Sequence, residues 1–449
     1  MSSKLKLCIA LMHDYAARDL LDSGVLKELS NRFELSFVST RRLTLNLKKF
    51  GSVYYYSEPI GFRLRIVQLA RGLFHMSDKS KYELNRRQAL ARATFGLGDL
   101  NSRLIKYLSA MKLSRLIATL IRIYLRLTFR ETLPENNRPD AMLVYTSVSS
   151  YFADDMVREA KRKSIPLLAL TNNWDNLNTK SFFEKPPYLG VWGEQGFLIA
   201  RLMHLIPSHR IFLIGAPRFE FYRKQKYSRA ESRAALVLPE NSIVLLFCGA
   251  GVAFEETSLL VELEDAIEHG RLPADTIVLY KPHPLRFKRS NEKTLDFNLL
   301  KHIKLLKSEQ KLTNLDIYPH LMGAADALIS PFSTMVIEGA RAGLPALCLG
   351  YSDEGHYEHD WNRAAFNLHL YIVRHGDWAI VCDHRQSFLQ SCQRLIDLCG
   401  DEVIAQQARY AADMVFAFRT QSVSQRIDTA LKKIIVGNDA DDSFLLSKI

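Results

Sequence analysis

The chain has 449 residues, of which 47% are hydrophobic and 24% charged. These are ordinary globular values that exclude a disordered or fibrous protein, and at about 150 residues per domain they suggest two or three domains. The formal net charge of +12 is concentrated: residues 61–130 hold fifteen Lys and Arg against three acidic residues, Asp78, Glu83 and Asp99, so the rest of the chain is balanced.

The apolar run after Met1 is cut short by His13, Asp14, Arg18 and Asp19, too early for a signal peptide, and no apolar stretch approaches the ~18 to 20 residues of a membrane span. The six cysteines form no C-x-x-C pair, and Cys8, Cys248 and Cys348 lie inside apolar strand-like runs. Neither disulfides nor a zinc knuckle is therefore expected, and the cytoplasm is the expected compartment.

Leu5 to Met12 reads as a strand buried on both faces, Leu20 to Leu29 as a helix and Phe33 to Val38 as a second strand, a β-α-β unit. Beyond the basic segment come strand-like Ala141 to Tyr145, helical Asp154 to Lys163, and further strands at Pro166 to Leu170, Leu189 to Trp192 and Ile211 to Ile214. Gly215-Ala216-Pro217 marks a break. A second series opens at Ile243 to Cys248 and continues through Ile277 to Tyr280, Ala327 to Ile329 and Ala346 to Leu349. Helices Glu256 to Glu268, Tyr318 to Ala325 and Thr334 to Ala342 lie between these strands, and the tail, Gln386 to Leu398 and Glu402 to Ile435, is helical. The repeated alternation predicts an α/β protein of two facing, doubly wound Rossmann-like domains. The first spans residues 1–222, with a basic helical insert at about 61–130, and the second spans 223–415. Residues 416–449 form a helix and tail returning to the first domain.

Ligands of open α/β sheets bind beyond the carboxyl ends of the strands, so the residues after each strand carry the functional signal. Cys248-Gly249-Ala250-Gly251 leads from a strand toward a helix, where glycines let backbone approach a ligand and the helix N-terminus favours an anion. It departs from the dinucleotide fingerprint because Phe254 stands at the third glycine position, and a tight turn without ligand is the competing reading. Lys281-Pro282-His283-Pro284 holds an ammonium and an imidazole at a strand end, groups suited to a phosphate or a base edge. Ser330-Pro331-Phe332-Ser333-Thr334 ends a strand and caps a helix. One hydroxyl there serves as N-cap, while three with free amides suit a phosphate. Glu338, one helical turn in, can accept from a ribose diol, and Gly343-Leu344-Pro345 turns into the next strand.

This order of strand, His-Pro, strand, Ser–Ser-Thr, helix, Glu and Gly-Leu-Pro resembles the nucleotide-binding domain of GT-B glycosyltransferases. More narrowly it is similar to bacterial surface-polysaccharide enzymes with an HP motif and a Ser–Ser/Thr motif: sialyl, polysialyl and Kdo transferases that use CMP-sugars, and CDP-glycerol-type transferases. The resemblance covers roughly residues 166–349. It implies that His283, Ser333 and Thr334, with Ser330, contact the nucleotide phosphate. Gly249, Gly251, Lys281, Pro284 and Glu338 complete the expected donor set. The nucleotide-sugar is then a substrate, with no resident cofactor. No metal is expected either, because fixed amides, hydroxyls and the helix dipole stabilise the leaving phosphate.

On the acceptor side, Thr171-Asn172-Asn173-Trp174-Asp175-Asn176 follows a strand and sets an aromatic beside a carboxylate and amides, as sugar rings and hydroxyls require. Asp175 is the first candidate general base, with Trp174 and Asn176 as acceptor contacts; an Asx-capped turn with a packed tryptophan is the competing reading. His13 follows the first strand, where several GT-B enzymes place a base. Arg218, at the domain junction, is a further candidate to reach a phosphate or the acceptor. Asp353-Glu354-Gly355 spells the acidic motif of sialyltransferases but follows the serine motif, so that role is not transferred. His356-Tyr357-Glu358-His359-Asp360 lacks the helical spacing of a zinc motif.

In the basic segment Lys112, Arg115, Arg122, Arg126 and Arg130 fall on one face of a helix, with Leu113, Leu116, Ile117, Leu120, Ile123, Tyr124 and Leu127 opposite. Such a helix either buries its apolar face in the domain or lies on an anionic leaflet. No recognisable nucleic-acid module accompanies the charge, so nucleic acid is not an expected partner. The sequence thus predicts a metal-independent glycosyltransferase at the inner face of the plasma membrane, using a nucleotide-sugar donor and a capsule, lipopolysaccharide or lipid-linked acceptor. A 2-epimerase-like enzyme or glycerol-phosphate transferase on the same fold, and a non-catalytic scaffold of polysaccharide assembly, are the alternatives.

Overall fold

The computed structural model describes residues 4–77, 103–105, 107–108, 113–147, 150–220, 222, 227–249, 256–283, 295–306, 317–351, 367–416 and 420–437. Contacts divide the chain into two compact units, Met1–Glu220 with Phe416–Ile449, and Phe221–Val415.

Unit 1 comprises β1 (Leu5–Leu11), α1 (Asp14–Asp22), α2 (Val25–Arg32), β2 (Phe33–Ser39), β3 (Gly51–Tyr55), α3 (Gly61–Ser77), α4 (Ser114–Leu127), β4 (Ala141–Thr146), α5 (Tyr151–Arg162), β5 (Leu167–Thr171), α6 (Asn176–Thr179), β6 (Tyr188–Val191), α7 (Glu194–His204) and β7 (Ile211–Leu213). Its strands form one sheet in the order β3-β2-β1-β4-β5-β6-β7, every pair parallel. The expected helix over 20–29 is broken by Gly24, whose φ of 77° ends α1 and starts α2.

Unit 2 comprises α8 (Arg229–Ala235), β8 (Ile243–Cys248), α9 (Thr257–Glu268), β9 (Thr276–Lys281), β10 (Ile303–Leu305), α10 (Ile317–Ala324), β11 (Ala327–Pro331), α11 (Thr334–Ala342), β12 (Ala346–Leu349), α12 (Tyr371–Arg374), β13 (Ala379–Cys382), α13 (Phe388–Asp397) and α14 (Glu402–Phe416, whose last residue falls in unit 1). Its sheet runs β10-β9-β8-β11-β12-β13, again parallel throughout. The chain then returns as α15 (Val423–Val436) to unit 1. There Val423, Ile427, Ala430, Leu431 and Ile434 join the core built by Leu7, Ile9, Leu29 and Leu35. A Ser422–Gln425 capping box starts α15, and Arg32 Nη1 meets Asp428 Oδ2 at 2.7 Å.

The insert is fastened to unit 1 by buried charge. Arg71 of α3 pairs with Asp154 in the first turn of α5. Arg126 of α4 grips Glu184 through Nε at 3.0 Å and Nη2 at 2.6 Å, and Arg158 Nε reaches the same carboxylate at 3.2 Å. Burial pushes the Asp154 carboxyl up to about 6, against the pull of Arg71 and Arg158. Around these ions Val67, Ala70, Leu125 and Phe183 pack together. The domain-helix reading of α4 is corrected in one respect: most of its large apolar residues are not the ones buried. Ser114, Ala118 and Leu125 are the buried residues of α4, Arg126 is ion-paired inward, and Leu116, Leu120, Ile123, Tyr124 and Leu127 are exposed.

Arg233 holds unit 2 in a comparable way. It is 1% exposed, donates to the carbonyls of Ala324, Pro239, Glu240 and Ser242 and pairs with Asp326 at 2.7 Å. Arg233→Ala would take a donor from four carbonyls and a buried charge partner from Asp326, which would keep only Arg229 and Val244 N. We expect it to destabilise unit 2 by about 3 kcal/mol or more, measured by urea unfolding; a loss below about 1 kcal/mol would show that water replaces the guanidinium.

Candidate functional site

In each unit the sheet order reverses direction at one place: between β1 and β4 in unit 1, and between β8 and β11 in unit 2. At such switch points the crossover helices diverge to opposite faces and leave a crevice at the carboxyl ends of the strands.

In unit 1, His13 lies directly beyond β1 at the N-cap position of α1. Its ring stacks on Tyr15, centroids 5.2 Å apart, and Tyr15 Oη accepts from Asn172 Nδ2 at 3.2 Å. Asn172, after β5, accepts from Asn176 Nδ2. Asn176 Oδ1 accepts from Lys180 Nζ at 2.7 Å, and that ammonium also donates to Ser147 Oγ at 2.9 Å, beyond β4. A continuous polar chain thus joins the ends of β1, β5 and β4. Asn176 is fully buried and its amide is engaged on both sides, so it holds the loop rather than presenting itself to an acceptor. Asp175 stands half-buried at the N-cap position of α6 without making a side-chain cap. Trp174 is turned toward α7, its Nε1 donating to Gln195 Oε1 at 2.6 Å.

Partial burial holds the His13 imidazole below its ordinary 6.5, although Glu58 and Asp14 pull the other way. Glu58 follows β3, accepts from Tyr151 Oη at 2.8 Å and meets Arg42 at 3.4 Å. Asp14 is fixed by Thr44, accepting from its N at 2.7 Å and its Oγ1 at 2.8 Å. Asp19 is a further buried carboxylate of this rim, contacted by Tyr145 Oη at 3.2 Å and Arg18 at 3.5 Å. Burial raises the Asp19 carboxyl, with Arg218 as the chief opposing charge. Arg218 itself lies over the rings of Phe219 and Trp192, at 4.8 and 5.4 Å, so the structure places it against the wall of unit 1. Sequence reading missed Glu58 and Asp19; a position three residues past β3 was the available signal for Glu58, whereas Asp19 lies inside α1 and carried none.

In unit 2, Gly249 follows β8, but the space its missing side chain leaves is already filled. A Cβ there would come within 2.4 Å of Glu256 Oε2, and this buried carboxylate accepts from Tyr280 Oη at 2.6 Å. The missing side chain thus makes room for the Glu256 carboxylate. Lys281 ends β9 nearly buried, its Nζ 4.9 Å from the centre of the Tyr318 ring. Burial disfavours its charge, yet Tyr318, Cys248 and Glu338 together hold the ammonium above its ordinary value. His283 is half-exposed two residues on. At the end of β11, Ser330 is enclosed with its Oγ 3.0 Å from that of Ser333. Ser333 caps α11 by accepting from Met335 N at 3.3 Å, and Thr334 is the first residue of that helix, half-buried. Glu338 is oriented by Tyr222 Oη at 2.9 Å, a contact the sequence could not reveal. Gly343 closes α11 at φ 86°.

The structure therefore brings Lys281, Ser330, Ser333, Thr334 and Glu338 to one rim, with the N-terminus of α11 among them. Gly251, Pro284, Asp353–Gly355 and His356–Asp360 lie outside the described residues. Among the described residues no group of three or more His, Cys, Asp or Glu could hold a metal ion. Burial pushes the Cys248 thiol up to about 12, which leaves it inert as a nucleophile.

No protein-family model matches the sequence, and no curated protein matches it. Solved structures do. A glycosyltransferase of kitacinnamycin superposes with a TM-score of 0.51 at 12% identity, covering 95% of this chain and 99% of that one. A UDP-N-acetylglucosamine 2-epimerase from Listeria monocytogenes, described as putative in its own structure, gives 0.52 at 11%, covering 98% of both chains. The wall teichoic acid polymerase TagF gives 0.52 at 10%, covering 97% of this chain and 89% of that one. The chain has the two-domain GT-B fold. Two Rossmann-like units with parallel sheets are what the sequence patterning anticipated.

Since the folded state holds His13 below 6.5, its imidazole is neutral at pH 7. The folded state binds fewer protons there than the unfolded chain, so this group subtracts stability as pH falls through 6.5. NMR titration, with the resonance assigned by His13→Gln, should give a midpoint under 6.5; a midpoint above it would show that the Glu58 field prevails.

Proposed function

We propose that the chain is a glycosyltransferase that moves a sugar from a nucleotide-sugar donor to a surface-glycan or lipid-linked acceptor. The observation that carries this reading is the rim of unit 2. A buried ammonium, two touching serine hydroxyls, a helix N-terminus and a carboxylate one turn into that helix are assembled at a switch point, and such a set suits a phosphate with a ribose attached. The solved neighbours, by name a glycosyltransferase, a teichoic acid polymerase and an epimerase, support the same class of substrate.

In this reading Lys281, His283, Ser333 and Thr334 hold the donor phosphates and Glu338, aimed by Tyr222, accepts from the ribose hydroxyls. Asp175 or His13 takes the proton of the acceptor hydroxyl. The acceptor oxygen forms its bond to the anomeric carbon as the bond from that carbon to the phosphate oxygen breaks. The departing oxygen carries the electron pair, and the fixed donors around it are already in place for that charge. No metal or cofactor is given a part. Among the described residues no helix is long and apolar enough to cross a membrane; the reading is of a cytoplasmic protein attached peripherally through residues 61–130, in polysaccharide biosynthesis.

A glycerol-phosphate transferase or a 2-epimerase is the second reading, favoured by the neighbours with those printed activities. Product analysis separates them, because an epimerase turns over without an acceptor.

A thermal-shift series with CMP, CDP, UDP and GDP should show one nucleotide raising the midpoint. His283→Ala should weaken that ligand about tenfold or more, as a lost charge-assisted contact does. Asp175→Asn and His13→Gln should each retain the shift, and the one that removes the base should lower kcat by about 10²- to 10⁴-fold. Full activity in both variants would overturn the base assignment, and no shift with any nucleotide would overturn the donor site.

A further inference from the structure

One face of α4 carries a row of exposed apolar side chains. Leu113, Leu116, Leu120, Ile123, Tyr124 and Leu127 recur at three- and four-residue intervals along α4, and all are exposed, Leu127 by 80%. The opposite side of the same helix is the packed one, where Ser114 and Ala118 let α3 approach and Leu125 enters the core. Arg63 Nη1 donates to Thr128 O at 3.0 Å, so the first turn of α3 lies beside the end of α4. Ile60 and Phe62, 81% and 77% exposed, flank Arg63 and so stand near that end of α4. The chain turns into α3 shortly after β3, on the rim that carries Glu58 and His13.

The charges divide in the same way. Arg71 and Arg126 are neutralised by Asp154 and Glu184. Arg65, Arg115 and Arg130 are exposed, and none is ion-paired with a described carboxylate. An apolar ridge with exposed arginines beside it, none of them ion-paired among the described residues, in the segment that supplies the whole net charge, is complementary to an anionic lipid surface. The ridge does not suit a second copy, which would bring two such arginine sets together. At 1.5 Å per residue the 14 residues of α4 span about 21 Å, short of the ~30 Å hydrocarbon layer. The helix can lie in the surface and not cross it.

We propose that the outer face of α4, with Ile60 and Phe62, seats the protein on an anionic membrane, the apolar side chains entering the headgroup boundary and Arg65, Arg115 and Arg130 meeting lipid phosphates. This deepens the reading of a membrane-presented acceptor and rests on it for its purpose, while the binding itself needs no nucleotide.

The test is co-sedimentation of the full chain with vesicles of phosphatidylcholine, with and without phosphatidylglycerol, over a salt series. Binding is expected to the anionic vesicles alone and to fall as salt rises. The triple variant Leu116→Ser, Leu120→Ser, Leu127→Ser should bind about tenfold or more weakly, with circular dichroism and melting midpoint unchanged. Arg115→Gln and Arg130→Gln should each cost about fivefold and flatten the salt dependence. The nucleotide-induced thermal shift should persist in all variants, so that losing it with membrane binding intact would strike the transferase reading alone. No binding to anionic vesicles, binding unchanged in both sets of variants, or a wild-type dimer that the triple variant dissolves would overturn the proposal.

Discussion

A strand can be followed by a parallel neighbour only when the chain climbs back along the sheet, and here that return is made by helices lying over the faces. Most returns in both sheets are of this kind, although β2 reaches β3 through a short connection holding only a 3₁₀ turn at Leu47–Lys49. Polar groups gather where the strands end. His13, Glu58, Ser147, Asn172, Lys281 and Ser330 all stand at or just beyond a carboxyl end. Chemistry in this protein is confined by the hydrogen-bonding direction of its sheets.

Buried charge does a different job in each unit. In unit 2 Arg233 gathers carbonyls from α10 and the turn before β8, and so ties segments about 90 residues apart. In unit 1 the acids Asp154 and Glu184 draw two arginines of the insert inward. Desolvating these groups is expensive unless the partners are met with good geometry. On α4 the buried residues are Ser114, Ala118 and Leu125, and most of the larger apolar side chains are left outside.

Much of the fold was legible because both-face burial makes parallel core strands read as unbroken apolar runs. The strands that escaped notice, β3, β10 and β13, are all at sheet edges, where burial is one-sided and runs are short. At the sites, Lys281, Ser330, Ser333 and Glu338 could be found because strand ends and helix caps are local features. Tyr222 on Glu338, Tyr145 on Asp19 and Tyr151 on Glu58 could not, since each joins residues that only folding brings together. The rotation of α4 illustrates the same limit. Periodicity shows that a helix has two faces; it does not show which one has a neighbour.

Gly249 could likewise be read from sequence only as a permissive turn, whereas its neighbour in space is the Glu256 carboxylate.

The return of α15 to unit 1 has a consequence for biosynthesis. The core of that unit takes Val423, Ile427 and Leu431 from the last described helix, which emerges from the ribosome after all of unit 2. Residues 221–415 are continuous and can close their own core while the first unit still lacks a wall. The core of the first unit is therefore completed only when residues 423–434, made after all of unit 2, are in place.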